Sequence, residues 1–90
     1  NKSCPLSAQG AMEKSLYSAE YRLLLNLLRE ARKRSGITQE TLAVRLGVTQ
    51  SFVSKCERGD RRLDVLELRR WVFAIDGDFQ EFLSTFEASL

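Results

Sequence analysis

The sequence predicts an all-α fold, a compact bundle of five helices. Leucines recur at three- and four-residue spacing, which is typical of helices with one buried face. No segment shows the strict alternation of β-branched and polar residues that is typical of strands. The chain has 90 residues, of which 43% are hydrophobic, with one Pro and five Gly. This length and composition predict one small domain with a single hydrophobic core.

The first seventeen residues are predicted to form an irregular lead-in, and the folded domain is predicted to span residues 18–90. Residues 1–11 read NKSCPLSAQGA and are followed by Met12. Because the chain begins at Asn1, one interpretation is that residues 1–11 are an expression remnant and that the natural protein starts at Met12. The other interpretation, a native lead-in, stays open.

The first two helices are predicted from their apolar faces and their end signals. Apolar residues fall on one helical face over about 18–34. Gly36 is expected to end this helix after a basic last turn, the charge that a helix C-terminus favours. Thr38 is a good N-cap for a second helix, which is expected to end at Gly47.

The other three helices are predicted in the same way. Thr49 is expected to cap a short third helix that ends at Gly59, and Asp64 is expected to cap a fourth that runs to roughly Ile75. A fifth helix is predicted to start near Phe79, after a break that reads Asp-Gly-Asp. The short connections between these helices predict a compact bundle.

The segment 39–58 reads QETLAVRLGVTQSFVSKCER, and its residue types fit two helices that cross over a very short turn. Ala43 is small where the next helix packs over it, and Gly47 can adopt the positive φ that a tight turn needs. The remaining inward positions are apolar: Leu42, Leu46, Val48, Val53 and Cys56. The complete set at this spacing predicts a helix-turn-helix.

These residues resemble the phage repressor and Cro group of helix-turn-helix regulators, the Xre family, over about 24–83. The resemblance implies a lambda-repressor-like fold whose third helix lies in the major groove of double-stranded DNA. We therefore expect a sequence-specific transcriptional regulator, a repressor that reads a short palindromic operator through the helix starting near Thr49. The alternative is an antitoxin or protein-interaction module that uses the same fold to bind a partner protein such as a toxin.

The resemblance also implies which side chains contact DNA. A Gln side chain can pair with adenine and a Lys side chain can donate to guanine. The expected base contacts are Thr49, Gln50, Ser51, Ser54 and Lys55. The expected contacts to the phosphate backbone are Gln39, Arg61 and Arg62. For the two arginines, a solvated loop is the alternative.

Other residues around the third helix are expected to take different roles. Arg32 and Glu57 match positions where the family forms an inward ion pair, which would clamp the recognition helix to the first helix. Phe52 is an aromatic residue on an outer face, and it either contacts a thymine methyl group or leans against the second helix. Three further basic residues are expected to be solvated charges: Lys33, Arg34 and Arg45.

A homodimer is expected, because one short helix reads only a few base pairs. Two copies on a palindrome would place their recognition helices about 34 Å apart. The sequence carries more apolar surface than a monomer of this size needs, which is typical of an interface. The residues assigned to that interface are Leu66, Phe73, Phe79, Phe82 and Phe86. The alternative is that the fifth helix folds back over Leu66 and Phe73.

Composition argues against other classes of protein. The chain has no His and only two Cys, Cys4 and Cys56, so the commonest general base and the usual zinc ligand are missing. We therefore expect no enzyme activity, no cofactor and no metal, and we expect both cysteines to be reduced. The net charge of +2 is compatible with nucleic acid without arguing for it. No apolar run is long enough to span a bilayer, and a cytoplasmic location is expected.

Overall fold

The chain folds into five α-helices in the computed structural model. The structure describes residues 13–90, with side chains from residue 19 onwards. The helices are α1 (Glu13–Arg34), α2 (Gln39–Leu46), α3 (Gln50–Arg58), α4 (Val65–Ala74) and α5 (Phe79–Ser89). Residues 13–90 contain no strand, and the all-α prediction is confirmed.

The first helix starts earlier than the sequence predicts. Residues 13–17 were expected in an irregular lead-in, but they form the first turns of α1. This segment reads EKSLY and contains neither Pro nor Gly, so no residue in it interrupts the helix. The two interpretations of residues 1–11 concern a segment outside the described residues.

The helix starts predicted from cap residues are confirmed. Thr38, Thr49 and Asp64 each lie directly before a helix and accept a hydrogen bond from the backbone N–H three residues further on. Asp78, which was predicted only as part of the break before the fifth helix, caps α5 in the same way. Each bond satisfies a donor that the first turn of a helix leaves unpaired. At the end of α2, Gly47 adopts a φ of 74°, a left-handed conformation that costs glycine little.

One cluster of buried apolar side chains draws on all five helices. Burying a large apolar side chain stabilises the fold by about 1.5–3 kcal/mol before the loss of chain entropy is counted. The inward residues predicted for the helix-turn-helix lie in this cluster or pack against it. The buried apolar residues are Leu25, Leu28, Ile37, Leu42, Ala43, Val53, Cys56, Leu68, Trp71, Val72, Ala74, Ile75 and Phe82.

The position of α5 corrects one interface prediction. Phe82 was expected at a dimer interface, but it is buried in the core of the single chain. The prediction is wrong because α5 packs against α1 and α4, and its inner face is used to cover them. Phe79 packs partly buried against the same core.

The opposite face of α4 stays uncovered. Leu66 is 65% exposed and Phe73 is 80% exposed, so α5 does not fold back over them. The alternative that the fifth helix shields these two residues is therefore wrong. Two large apolar side chains remain on the surface beside a core that is already closed.

Candidate nucleic-acid interface

The turn between α2 and α3 sets the position of the candidate recognition helix. α2 ends at Leu46 and α3 begins at Gln50, so three residues make the turn. The backbone N–H of Val48 donates to the carbonyl of Ala43 at 3.0 Å, and the Val48 side chain packs against the core. α2 then packs against α3 and α4, while α3 also packs against α1.

α3 has one buried side and one solvent-facing side. Val53, Cys56 and Glu57 are its buried residues. The helix places the predicted base-contact residues on the other side, where all except Ser54 are exposed and Ser54 is half-buried. They are Thr49, at the N-cap, and Gln50, Ser51, Ser54 and Lys55.

A buried ion pair joins α3 to α1. Arg32 Nε donates to Glu57 Oε2 at 2.7 Å, and Arg32 Nη2 donates to Glu57 Oε1 at 3.2 Å. Arg32 Nη1 also donates to the carbonyl oxygen of Ile37 at 2.9 Å. Both residues are only 8% exposed. This two-bond geometry holds a guanidinium and a carboxylate in one fixed orientation, so it sets where α3 lies relative to α1.

The ion pair continues into a chain of glutamine side chains. Gln39 Nε2 donates to Glu57 Oε1 at 2.9 Å, and Gln50 Nε2 donates to Gln39 Oε1 at 3.3 Å. Gln39 and Gln50 are the first residues of α2 and α3. A continuous set of hydrogen bonds therefore runs from the buried Arg32 to the exposed Gln50. The sequence offered no signal for the bonds made by Gln39.

The loop after α3 carries two arginines stacked on aromatic rings. The Arg61 guanidinium carbon lies 4.7 Å from the centre of the Phe52 ring. The corresponding Arg62 carbon lies 4.5 Å from the centre of the Tyr21 ring. Both arginines are exposed. Their predicted contacts to phosphate stay predictions, as do the predicted base contacts on α3.

A helix-turn-helix family model matches residues 28–82 of the chain. An XRE-family like protein from Pseudomonas syringae pv. tomato str. DC3000 is 49% identical to it, with a TM-score of 0.83 over 87% of this chain and 95% of that one. The chain belongs to the Xre family of helix-turn-helix proteins.

A second solved structure shares the fold of this Xre-family protein. It is a mutant of the restriction-modification controller protein C.Esp1396I, with a TM-score of 0.71 and 21% identity over 78% of this chain and 89% of that one. No curated protein sequence matches the chain. Membership of the family confirms the resemblance inferred from the sequence and makes the chain a DNA-binding transcription regulator.

Phe52 and Arg61 of the Xre-family protein lie in a local cluster that the sequence did not reveal. Phe52 is half-buried and packs against the core, with Arg61 over its outer face. Arg61 Nη1 and Nη2 donate to the two carboxylate oxygens of Glu67 at 3.1 and 3.2 Å. Neither of the two roles predicted for Phe52 includes this stacking on Arg61.

Glu67 and Cys56 have shifted proton affinities near this loop. The hydrogen bonds from Arg61, together with one from the backbone N–H of Asp64, lower the pKa of the Glu67 carboxyl. Burial raises the pKa of the Cys56 thiol more than the nearby Arg61 lowers it. Cys56 is a free, buried cysteine, as predicted. Cys4 lies outside the described residues.

Arg45 is exposed, as predicted, and it also makes hydrogen bonds that the sequence did not reveal. Arg45 Nη1 donates to the carbonyl oxygen of Ala74 at 2.7 Å and to Asp76 Oδ2 at 3.3 Å. Its guanidinium therefore satisfies a carbonyl at the end of α4 and ties that end to α2. Lys33 and Arg34 are exposed, as predicted.

The described residues contain neither a metal-binding cluster nor a membrane-spanning helix. Side chains in this part of the chain form no group of His, Cys, Asp or Glu that could hold a metal ion. Within residues 13–90, no helix is both long enough and apolar enough to cross a membrane.

Proposed function

We propose that this Xre-family protein represses transcription as a homodimer that binds a palindromic DNA operator, with α3 of each copy in the major groove. The observation that supports this most directly is the solvent-facing side of α3. It carries polar side chains without an exposed carboxylate, since the one acidic residue of α3, Glu57, is buried. Such a surface suits the donors, acceptors and negative charge that duplex DNA presents.

Each residue on that face would have a chemical role. Gln50 can both donate to and accept from an adenine edge, and Lys55 can donate to guanine. Hydroxyl groups at Thr49, Ser51 and Ser54 can bond to bases or phosphates of several kinds. A good two-bond contact to a base discriminates against the wrong base by about 1–3 kcal/mol, so Gln50 would dominate specificity.

Backbone contacts would position α3 on the duplex. Gln39 lies at the N-terminus of α2, where unpaired backbone N–H groups favour a bound phosphate. Arg61 and Arg62 would contact phosphates from the loop after α3. These contacts fix the orientation of the protein and carry no sequence information themselves.

Selection from a library of random duplex DNA tests this proposal, followed by titration of the enriched duplex at several salt concentrations. We expect a palindromic consensus whose half-sites are centred about 10 base pairs apart. We also expect log Kd to rise with log salt with a slope of about 0.9 for each phosphate neutralised. The matched variant Gln50→Ala should select a consensus that has lost its preference at one position in each half-site.

Other outcomes would overturn parts of the proposal separately. An enriched duplex without symmetry would remove the dimer and leave DNA recognition by α3 intact. If no duplex is enriched, the proposal is wrong as a whole, and the alternative of a protein-interaction module that binds a toxin is favoured. Reporter expression from a promoter that overlaps the selected operator tests repression, which should be lost with Gln50→Ala.

A further inference from the structure

One side of α1 carries a line of basic residues. Arg22, Asn26, Arg29 and Lys33 follow one another at steps of four, three and four residues, so they lie along one side of the helix. All four are exposed. At a rise of about 1.5 Å per residue, the line is about 16 Å long. The three cations in it, Arg22, Arg29 and Lys33, are called the α1 ridge below.

The cations of the α1 ridge have no carboxylate partner in the part of the chain that the structure describes. Glu30 lies three residues before Lys33, but the two side chains form no ion pair. The ion pairs between described side chains use other cations, which are Arg32, Arg45, Arg58 and Arg61. Because no carboxylate neutralises the α1 ridge, its full charge attracts external anions.

Both ends of the α1 ridge adjoin residues that are proposed to contact DNA. Lys33 lines an open pocket together with Gln39, the first residue of α2. Arg22 directly follows Tyr21, whose ring centre lies 4.5 Å from the Arg62 guanidinium carbon. The α1 ridge therefore runs beside the candidate DNA-binding surface, from the start of α2 towards the loop after α3.

We propose that the α1 ridge binds phosphates of the operator duplex, along one strand beside the groove that holds α3. This inference rests on DNA binding by α3 in the proposed function and adds a surface to it. Phosphates of one strand follow one another at about 3.4 Å along the duplex axis, so a line of about 16 Å passes roughly five of them. Each of the three cations can therefore meet a different phosphate. Such contacts raise affinity and carry no sequence information.

Titration of charge-removing variants on the duplex enriched by selection, over a series of salt concentrations, tests the α1 ridge. Arg22→Gln, Arg29→Gln and Lys33→Gln are made separately, and the Kd is measured by fluorescence anisotropy. Each lost contact should lower the slope of log Kd against log salt by about 0.9. The ratio of variant to wild-type Kd should then shrink about 3.5-fold for each fourfold rise in salt. The base preference found by selection should stay that of the wild-type protein.

Arg34→Gln is the matched control. Arg34 is exposed and follows Lys33 in the sequence, but it lines the groove between α1 and α5, together with Glu81 and Phe82. The control removes the same charge from the same helix, so it measures the general effect of a lower net charge. Its effect on the slope should be clearly smaller than that of the ridge variants. Thermal unfolding should show that every variant is folded.

Uncharged methylphosphonate linkages, placed one at a time in the duplex, locate the contacts. A linkage that faces Arg29 should weaken binding of the wild-type protein and of Arg34→Gln. The same linkage should have little further effect on Arg29→Gln, because that variant has already lost the contact.

The outcomes separate failure of the α1 ridge from failure of the proposed function. If the wild-type protein binds its duplex but the ridge variants behave like Arg34→Gln, only the ridge is wrong, and an acidic protein becomes the favoured partner for it. A changed base preference in a ridge variant would also overturn the assignment to phosphates. If the wild-type protein enriches no duplex, the proposed function fails and the inference fails with it.

Discussion

Gln39 and Glu57 lie on different helices, and their side chains are joined by a hydrogen bond of 2.9 Å between Gln39 Nε2 and Glu57 Oε1. The same carboxylate oxygen also accepts from Arg32. The first residue of α2 is therefore held by the ion pair that fixes α3 to α1. One buried carboxylate therefore joins α1, α2 and α3, and both the fold and the candidate DNA-binding surface depend on Glu57.

Glu57→Gln should destabilise the protein strongly. The variant leaves the Arg32 guanidinium buried without a counter-charge, and loss of one partner of a buried pair typically costs about 3–5 kcal/mol. Because Gln can still accept a hydrogen bond, we expect a loss near the lower value, equivalent to a fall in Tm of about 12 °C or more for a domain of this size. Calorimetry measures both quantities.

Glu30→Gln is the matched control for that variant, because Glu30 is exposed on α1. Its effect on the free energy of unfolding should stay within about 0.5 kcal/mol. Equal and small effects of Glu57→Gln and Glu30→Gln would contradict a structural role for the ion pair.

Local chemistry explains which parts of the fold could be predicted from the sequence. Thr38, Thr49 and Asp64 mark helix starts because an N-cap bonds to a backbone group only three residues away. Gly47 marks the tight turn because its positive φ is a property of one residue. The ion pair between Arg32 and Glu57 could be predicted from the family resemblance, because that resemblance implies how α1 packs against α3.

Packing between distant elements explains what could not be predicted. Phe79, Phe82 and Phe86 share one face of α5, and only the placement of that helix on α1 and α4 makes Phe82 the buried one. The hydrogen bond from Arg45 could not be predicted, because its acceptor, the Ala74 carbonyl, lies 29 residues further along the chain. Neither the burial of Phe82 nor the hydrogen bond of Arg45 can be recognised from the spacing of residues in the sequence.

The Arg61–Glu67 pair should make stability depend on pH in the acid range. The pKa of Glu67 is lowered from its usual value of 4.5 in the folded protein, so the folded state favours the carboxylate. The stabilisation is therefore present above pH 4.5 and is lost as the pH falls through the lower, folded pKa. Because both side chains are partly exposed, solvent screens the pair and its contribution should be small.

Glu67→Gln isolates this contribution, since Gln can keep the capping box with Asp64. Urea unfolding at a series of pH values should show a gap between wild type and variant near pH 7 that closes below pH 4.5. A gap that is constant across the series would show that the Glu67 charge contributes nothing and that packing accounts for the difference.

Cys56 should react with alkylating reagents only when the protein unfolds. Its thiol is buried, and burial raises its pKa, so little reactive thiolate is present at neutral pH. In a Cys4→Ser variant, which leaves Cys56 as the sole thiol, the rate of reaction with iodoacetamide should follow the unfolded fraction across a urea titration. Rapid alkylation without urea would contradict the buried position.

Gln39 and Gln50 should be coupled in DNA binding. Gln50 Nε2 donates to Gln39 Oε1 at 3.3 Å, so Gln39 orients the side chain proposed to contact a base. Gln39→Ala should then weaken operator binding in two ways, by removing a proposed phosphate contact and by releasing Gln50 from its position. We expect a loss of preference at the base pair that Gln50 reads, even though Gln39 itself is not expected to contact a base.

A double-mutant cycle of Gln39→Ala and Gln50→Ala, measured by fluorescence anisotropy on the selected operator, quantifies the coupling. Side chains in one hydrogen-bonded network typically show interaction energies of about 0.5–3 kcal/mol. The double variant should therefore lose less binding free energy than the sum of the two single variants. As a control, Gln39→Ala and Arg62→Ala should be additive, because Arg62 stacks on Tyr21 outside this set of hydrogen bonds. Strict additivity in both cycles would show that Gln39 and Gln50 act independently and that their hydrogen bond does not persist on DNA.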